Sequence, residues 1–164
     1  MTRLYARALR GKRAHGESPS DTLRERPDKR GKNVTIIGAI GLRGIVGAMN
    51  FKGGTDTLAF QTYIKEVLVP NLWPGACVVM DNFSSHKVAG IKEAIEEVGA
   101  HLIYLSPYSP DFSPIENCWS KIKEFLRSLA ARTYEDLDKA ITEAFESINL
   151  SDILGWFKHC GYCM

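Results

Sequence analysis

The stretch ACVVMD, Ala76–Asp81, decides the fold. Five apolar residues follow one another without a polar interruption, and the run then stops at a carboxylate. A strand covered on both faces needs such a run, whereas a strand with one wet face alternates. Pro74-Gly75 supplies the turn before it, and Asp81-Asn82 ends it. Downstream, HLIYL (His101–Leu105) predicts a second strand. Between the two, Val88, Ile91, Ile95 and Val98 recur at helical spacing, with Ser84 or Ser85 as the expected N-cap and Gly99 just past the end.

Working outward from this β-α-β unit, NVTIIGAIG (Asn33–Gly41) and IVGAMNF (Ile45–Phe51) are β-prone and joined at Leu42-Arg43-Gly44, which predicts a hairpin. Phe60, Ile64, Val67 and Leu68 predict a helix over Thr55–Val69 that Pro70 closes. After the second strand, a proline-rich run leads into a long helix carrying Ile115, Cys118, Trp119, Ile122, Phe125, Leu126 and Leu129. Thr133-x-x-Asp136 opens another helix, with Leu137, Ile141, Phe145 and Ile148 inward, and Ser151 is the expected cap of a last one through Phe157. No internal repeat is present. A hairpin followed by β-α-β units predicts an α/β fold, a mixed sheet with helices on its faces. In such sheets the functional crevice lies beyond the carboxyl ends of the strands, where Asp81 stands.

The 164 residues suffice for one domain, with 45% hydrophobic and 24% charged residues, ordinary for a globular protein. The net charge of +2 is unevenly spread. Residues 1–32 hold ten Lys/Arg against four acids and are +6, leaving the rest about −4. This segment, rich in Arg, Gly and Pro, reads as a basic arm or loop, and residues 33–164 as the folded body. A basic arm suits a polyanion, nucleic acid first; a solvated tail is the other reading of the same charges. Cys77 and Cys118 sit in apolar runs and read as small core residues. Cys160 and Cys163 form one C-x-x-C with His159 adjacent, but a zinc site needs a second ligand pair that the sequence does not offer. The start has no apolar signal core, and the longest apolar run, Val34–Leu42, is too short to span a bilayer. The expectation is a cytoplasmic protein with reduced thiols and no membrane partner.

Two carboxylates stand out, each with a plain structural reading. Ser113-Pro114-Ile115-Glu116 has the form of a capping box, with Glu116 reaching back to the backbone. Asp81 has the form of a turn former. The functional reading takes them together. Each follows a predicted strand, each stands at the start of a predicted helix, and thirty-four residues separate them. Two carboxylates at one edge of a sheet can bind a divalent metal such as magnesium, whose oxygen ligands stand at about 2.0–2.1 Å.

MDNFSSHK (Met80–Lys87), YLSPYSPDFSPIENCWSKIK (Tyr104–Lys123) and FKHCGY (Phe157–Tyr162) together resemble the insertion-sequence branch of the mariner-type DDE transposases, and the resemblance covers most of the chain. It implies an RNase H-like fold and metal-dependent DNA strand cleavage and transfer, with two Mg2+ or Mn2+ ions. It implies that Asp81 and Glu116 are catalytic metal ligands, that Asn82 and His86 flank the site, and that Arg3, Arg7, Arg10, Lys12 and Arg13 lie near DNA phosphates. The implied partners are DNA and a second transposase copy, either another of this chain or a full-length one, near the bacterial nucleoid.

The family's first acid closes a strand that precedes the basic loop MTRLYARALRGKR, and here that loop begins at Met1. Asp21 and Asp28 have no apolar strand before them and are poor substitutes, while Asp111 reads as a turn residue. The expectation is therefore an N-terminally truncated or late-started chain that lacks the third catalytic Asp and the first, central strand, with impaired catalysis. The competing expectation is a non-enzymatic remnant that binds DNA or pairs with a transposase. A nucleotide-binding protein is disfavoured, because no G-x-G-x-x-G or G-x-x-x-x-G-K-[ST] follows a strand.

Overall fold

The strand predicted at Ala76–Asp81 forms as β4 (Cys77–Met80), and all four of its residues are buried. The computed structural model describes residues 3–8, 33–54, 56–82, 84–107, 109–131 and 133–162; for 3–8 and 84–85 the description is of the backbone. The hairpin forms as β2 (Val34–Gly41) and β3 (Gly44–Lys52), antiparallel, with a register irregularity between Ala39 and Ile40. β5 (His101–Tyr104) runs parallel to β4, Cys77 opposite His101 and Met80 opposite Tyr104.

The sheet has five strands in the order β3-β2-β1-β4-β5, and its centre is β1 (Arg3–Ala8). Two expectations are corrected here. Residues 3–8 are not part of a free arm, and the central position of the sheet is not empty. β1 pairs antiparallel with β2 and parallel with β4, so Tyr5 lies opposite both Ile40 and Val79. The physical reason is the demand of the neighbouring strands. β2 and β4 are both buried and would otherwise leave a row of backbone N–H and C=O groups unmet inside the protein. RLYARA also alternates Leu4, Ala6 and Ala8 with longer side-chain types, the period-two signal of a strand. Residues 9–32 lie outside the described residues, as do Arg10, Lys12, Arg13, Asp21 and Asp28.

Alternation along the strands builds a core on each face. On one side, Ile37, Ala39, Val78 and Met80 pack under Phe60, Tyr63, Ile64, Leu68, Ile91 and Ile95. On the other, Ile36, Ile40, Cys77 and Val79 pack under Ile115, Cys118, Trp119 and Ile122, joined by Ile141, Ala144, Ile153 and Phe157. Full burial of such an aliphatic or aromatic side chain is worth about 1.5–3 kcal/mol.

The first face is covered by α1 (Thr57–Thr62), which widens into a π-helical turn over Tyr63–Leu68 and ends in a 3-10 turn at Val69–Asn71. Asp56 caps it, accepting from Ala59 N–H at 2.7 Å. The expected Ser84/Ser85-to-Val98 helix is in two pieces: a 3-10 turn at Ser84–Lys87 and α2 (Ile91–Glu97). Gly90 separates them at φ 89°, a left-handed conformation that interrupts a right-handed helix. The second face is covered by α3 (Pro114–Leu129), α4 (Tyr134–Glu146) and α5 (Leu150–His159). Thr133 caps α4 as expected, but Asn149 rather than Ser151 caps α5. Among the described residues no helix is long and apolar enough to cross a membrane.

Candidate catalytic and metal-binding site

Asp81 stands where β4 leaves the sheet, one residue after Met80, whose carbonyl accepts from Leu105 N–H at 2.8 Å. Its Oδ1 lies 2.5 Å from His86 Nδ1; the Asp81 side chain is 26% exposed and that of His86 1%. At Ser84/Ser85, where a helix was expected to start, only a single short 3-10 turn forms. The His86 ring stacks on Phe60 of α1, with centroids 4.4 Å apart at 23°. Tyr104, the last residue of β5, donates its hydroxyl to the His86 carbonyl at 2.8 Å. Gln61 of α1 donates to the Ala89 carbonyl at 3.0 Å. The segment after Asp81 is thus held between α1 and β5. Burial foremost, and then Glu93, push the Tyr104 phenol above its ordinary range, which keeps it a hydrogen-bond donor.

Glu116 lies in the first turn of α3, and the capping box expected of it does not form. Ser113 makes no side-chain cap bond. Its backbone N–H goes to the Pro110 carbonyl at 2.9 Å, while Glu116 N–H goes to the Ser113 carbonyl at 3.0 Å. The reciprocal box that would have explained Glu116 structurally is therefore absent. Glu116 Oε1 is buried, at the end of a helix whose dipole favours an anion.

The proline run has partners that the sequence pattern left unexplained. Pro110–Phe112 form a 3-10 turn that includes the exposed Asp111. The Phe112 carbonyl accepts from the Tyr162 hydroxyl at 2.7 Å. FKHCGY thus anchors the loop that aims α3. Cys160, buried in the same segment, lies 3.9 Å from Asn117 Nδ2. Burial, and secondarily Asp111, raise its thiol pKa. Cys163 lies outside the described residues, and among those described no group of three or more His, Cys, Asp or Glu could hold a metal ion. Trp119 is core, 2% exposed and edge-on to Phe145.

The donors near Asp81 suit a hard cation. Asn82 Oδ1 is buried and has no hydrogen-bond partner among the described residues. Carboxylate and amide oxygens are what Mg2+ and Mn2+ prefer. In kind the set fits. Among the described residues, β1, the strand beside β4, contributes no acid, and Asp81, His86 and Glu116 do not form a group of three metal-ligating side chains. Of the expected site residues, Asp81, Asn82 and His86 are adjacent around one strand end, and Glu116 enters from the helix that follows β5. Phe60 and Tyr104 were not foreseen; an aromatic at the last position of a strand beside the acid-bearing one was the available signal.

A sheet of this order, helices on both faces and an acid closing the strand next to the centre define an RNase H-like fold of the kind used by transposase catalytic domains. Solved structures agree. The Mos1 mariner paired end complex with Mn is 15% identical, at a TM-score of 0.73, over 96% of this chain and 53% of that one. The catalytic domain of Mos1 mariner transposase is 14% identical, at a TM-score of 0.68, over 96% of this chain and 74% of that one. The Mos1 paired end complex with Mg is 15% identical, at a TM-score of 0.64, over 99% of this chain and 53% of that one. The chain spans about half the length of the proteins in those paired end complexes. No curated protein matches it. Residues 2–138 match the DDE superfamily endonuclease family, and the chain belongs to that family.

Proposed function

We propose that the chain is the catalytic domain of an insertion-sequence DNA transposase, built for metal-dependent strand cleavage and transfer. The observation that supports this reading is that Asp81 and Glu116 follow two neighbouring parallel strands. β4 and β5 are parallel, so their carboxyl ends share one edge of the sheet. Asp81 follows the first, and the second leads through the proline loop to Glu116. Position 81 is also in phase with Cys77 and Val79, which pack against α3. Asp81 and Glu116, with Asn82, would hold the cation. Two such ions, when bound, activate the attacking oxygen and stabilise the leaving one. The protein's part is to hold both carboxylates in place before DNA arrives, since misplacement of a ligand is severe for catalysis.

Arg3, Arg7, Arg10, Lys12 and Arg13 would meet DNA phosphates, adding affinity without sequence information. A second transposase copy is the expected protein partner. The deciding experiment is a nicking assay on supercoiled DNA with Mg2+ or Mn2+. The expected result is nicking that Asp81→Ala and Glu116→Ala abolish. Nicking that survives in both variants would take the two carboxylates out of the site. A salt-dependent DNA shift with no metal-dependent cutting would replace the enzyme with the non-enzymatic reading, which the acid-free β1 favours.

A further inference from the structure

We propose that His86 is the positioning residue of the candidate site, setting the Asp81 carboxylate for cation binding. The inference rests on the two-carboxylate reading above and assigns a task within it. An aspartate just past the end of a strand is not held by the ladder, and its carboxylate can rotate. Here Oδ1 is met by His86 Nδ1 at 2.5 Å. The two atoms are in ion-pair contact, at an angle outside that of a regular hydrogen bond; a carboxylate only accepts, so the proton between them is assigned to Nδ1. The ring has little freedom to turn away. It is buried, it lies on Phe60 at 4.4 Å, and its own carbonyl is tied to Tyr104 at 2.8 Å. The orientation of Asp81 is thus referred through one imidazole to both α1 and β5. A carboxylate ordered in advance leaves less to be fixed when the cation arrives, which is how outer hydrogen-bond partners tune metal sites.

The bland account is that His86 is a core histidine that packs on Phe60 and happens to touch Asp81. The two accounts differ over which nitrogen matters. An asparagine at position 86 can place its amide nitrogen near the place of Nδ1, whereas a glutamine places it near Nε2. The test is Mn2+ binding to the full chain, followed by the electron paramagnetic resonance signal of free Mn2+, for wild type, His86→Asn, His86→Gln and Asp81→Ala. Thermal melting of each metal-free protein accompanies it.

The expected result is that Asp81→Ala loses binding and His86→Gln weakens it about 10–100-fold. His86→Asn stays within about 3-fold of wild type, although the shorter side chain loses the Phe60 stack and melts lower. If the two His86 variants bind as wild type does, or weaken together in step with their melting, His86 is only a core residue while the Asp81 site stands. If Asp81→Ala binds as well as wild type, the carboxylate site itself is wrong and the role of His86 goes with it. Nitrogen-15 NMR of the metal-free wild type gives a second readout, independent of metal. A proton on His86 Nδ1 is expected, and a bare Nδ1 overturns the proposal.

Discussion

Lys121 Nζ of α3 lies 2.5 Å from Asp152 Oδ2 in the first turn of α5. The same carboxylate accepts from Asn149 N–H at 3.0 Å, while Asn149 Oδ1 accepts from Asp152 N–H at 2.9 Å. One aspartate therefore caps α5 and ties it to the helix that carries Glu116. Removing the two halves of this arrangement has unequal costs. Lys121→Met removes a partly exposed ion pair, and a loss of about 0.5–1 kcal/mol is expected. Asp152→Ala removes the pair and half of the reciprocal cap, and about 1–2 kcal/mol is expected. Urea unfolding of the two variants checks the order; equal losses would mean that the cap contributes nothing.

The same ion pair has a pH signature. Lys121 first, and Asn149 N–H second, hold the Asp152 carboxyl below its ordinary value of 3.8. A depressed folded-state pKa stabilises the protein fully above the unfolded value and is lost as pH falls through the folded one. The stability gap between wild type and Asp152→Asn is therefore expected to be constant from neutral pH down to the ordinary carboxylate range near 3.8, and to shrink below it. Denaturant midpoints measured from pH 7 downward would show it; a gap that widens on acidification contradicts the assignment.

Gly38 of β2 lies against Trp119 of α3. A Cβ at that position would stand 3.0 Å from Cη2 of Trp119 and 3.7 Å from the Ala48 Cβ. The indole cannot retreat easily, being buried and set edge-on against Phe145 at 6.2 Å. Overpacking costs about 1–3 kcal/mol, offset by about 0.4–1 kcal/mol from the less flexible unfolded chain. Gly38→Ala is expected to lose about 1–2 kcal/mol with altered tryptophan fluorescence. A variant as stable as wild type would show that Trp119 has room to move.

Binding to DNA through the basic residues has a measurable exponent. Each phosphate deprived of its cationic partner lowers the slope of log affinity against log salt by about 0.9 on duplex DNA. Replacing Arg10, Lys12 and Arg13 together by alanine is expected to lower that slope by about 2–3 in fluorescence anisotropy titrations. An unchanged slope would take these three residues away from the DNA.

Much of the architecture was legible without coordinates, wherever a single segment carries its own pattern. ACVVM has no polar face to show, so β4 had to be interior. The spacing of Ile115, Cys118, Trp119 and Ile122 specified which side of α3 is buried. Local turn chemistry was less reliable. Ser113 and Glu116 have the letters of a capping box, yet the Pro110 carbonyl takes the N–H that Glu116 would have used. Gly90 cuts a helix that apolar spacing alone would have run unbroken.

The residues themselves determined an α/β frame with Asp81 and Glu116 thirty-four residues apart, because hydrophobic period and acid spacing are properties of the linear chain. Tertiary structure alone decided that Arg3–Ala8 fills the middle of the sheet and that His86 turns back onto Asp81. A strand of weak intrinsic preference is chosen by the neighbours whose hydrogen bonds it completes. A side-chain contact across a broken helix depends on where Phe60 and Tyr104 stand, eighteen or more residues away from His86 along the chain.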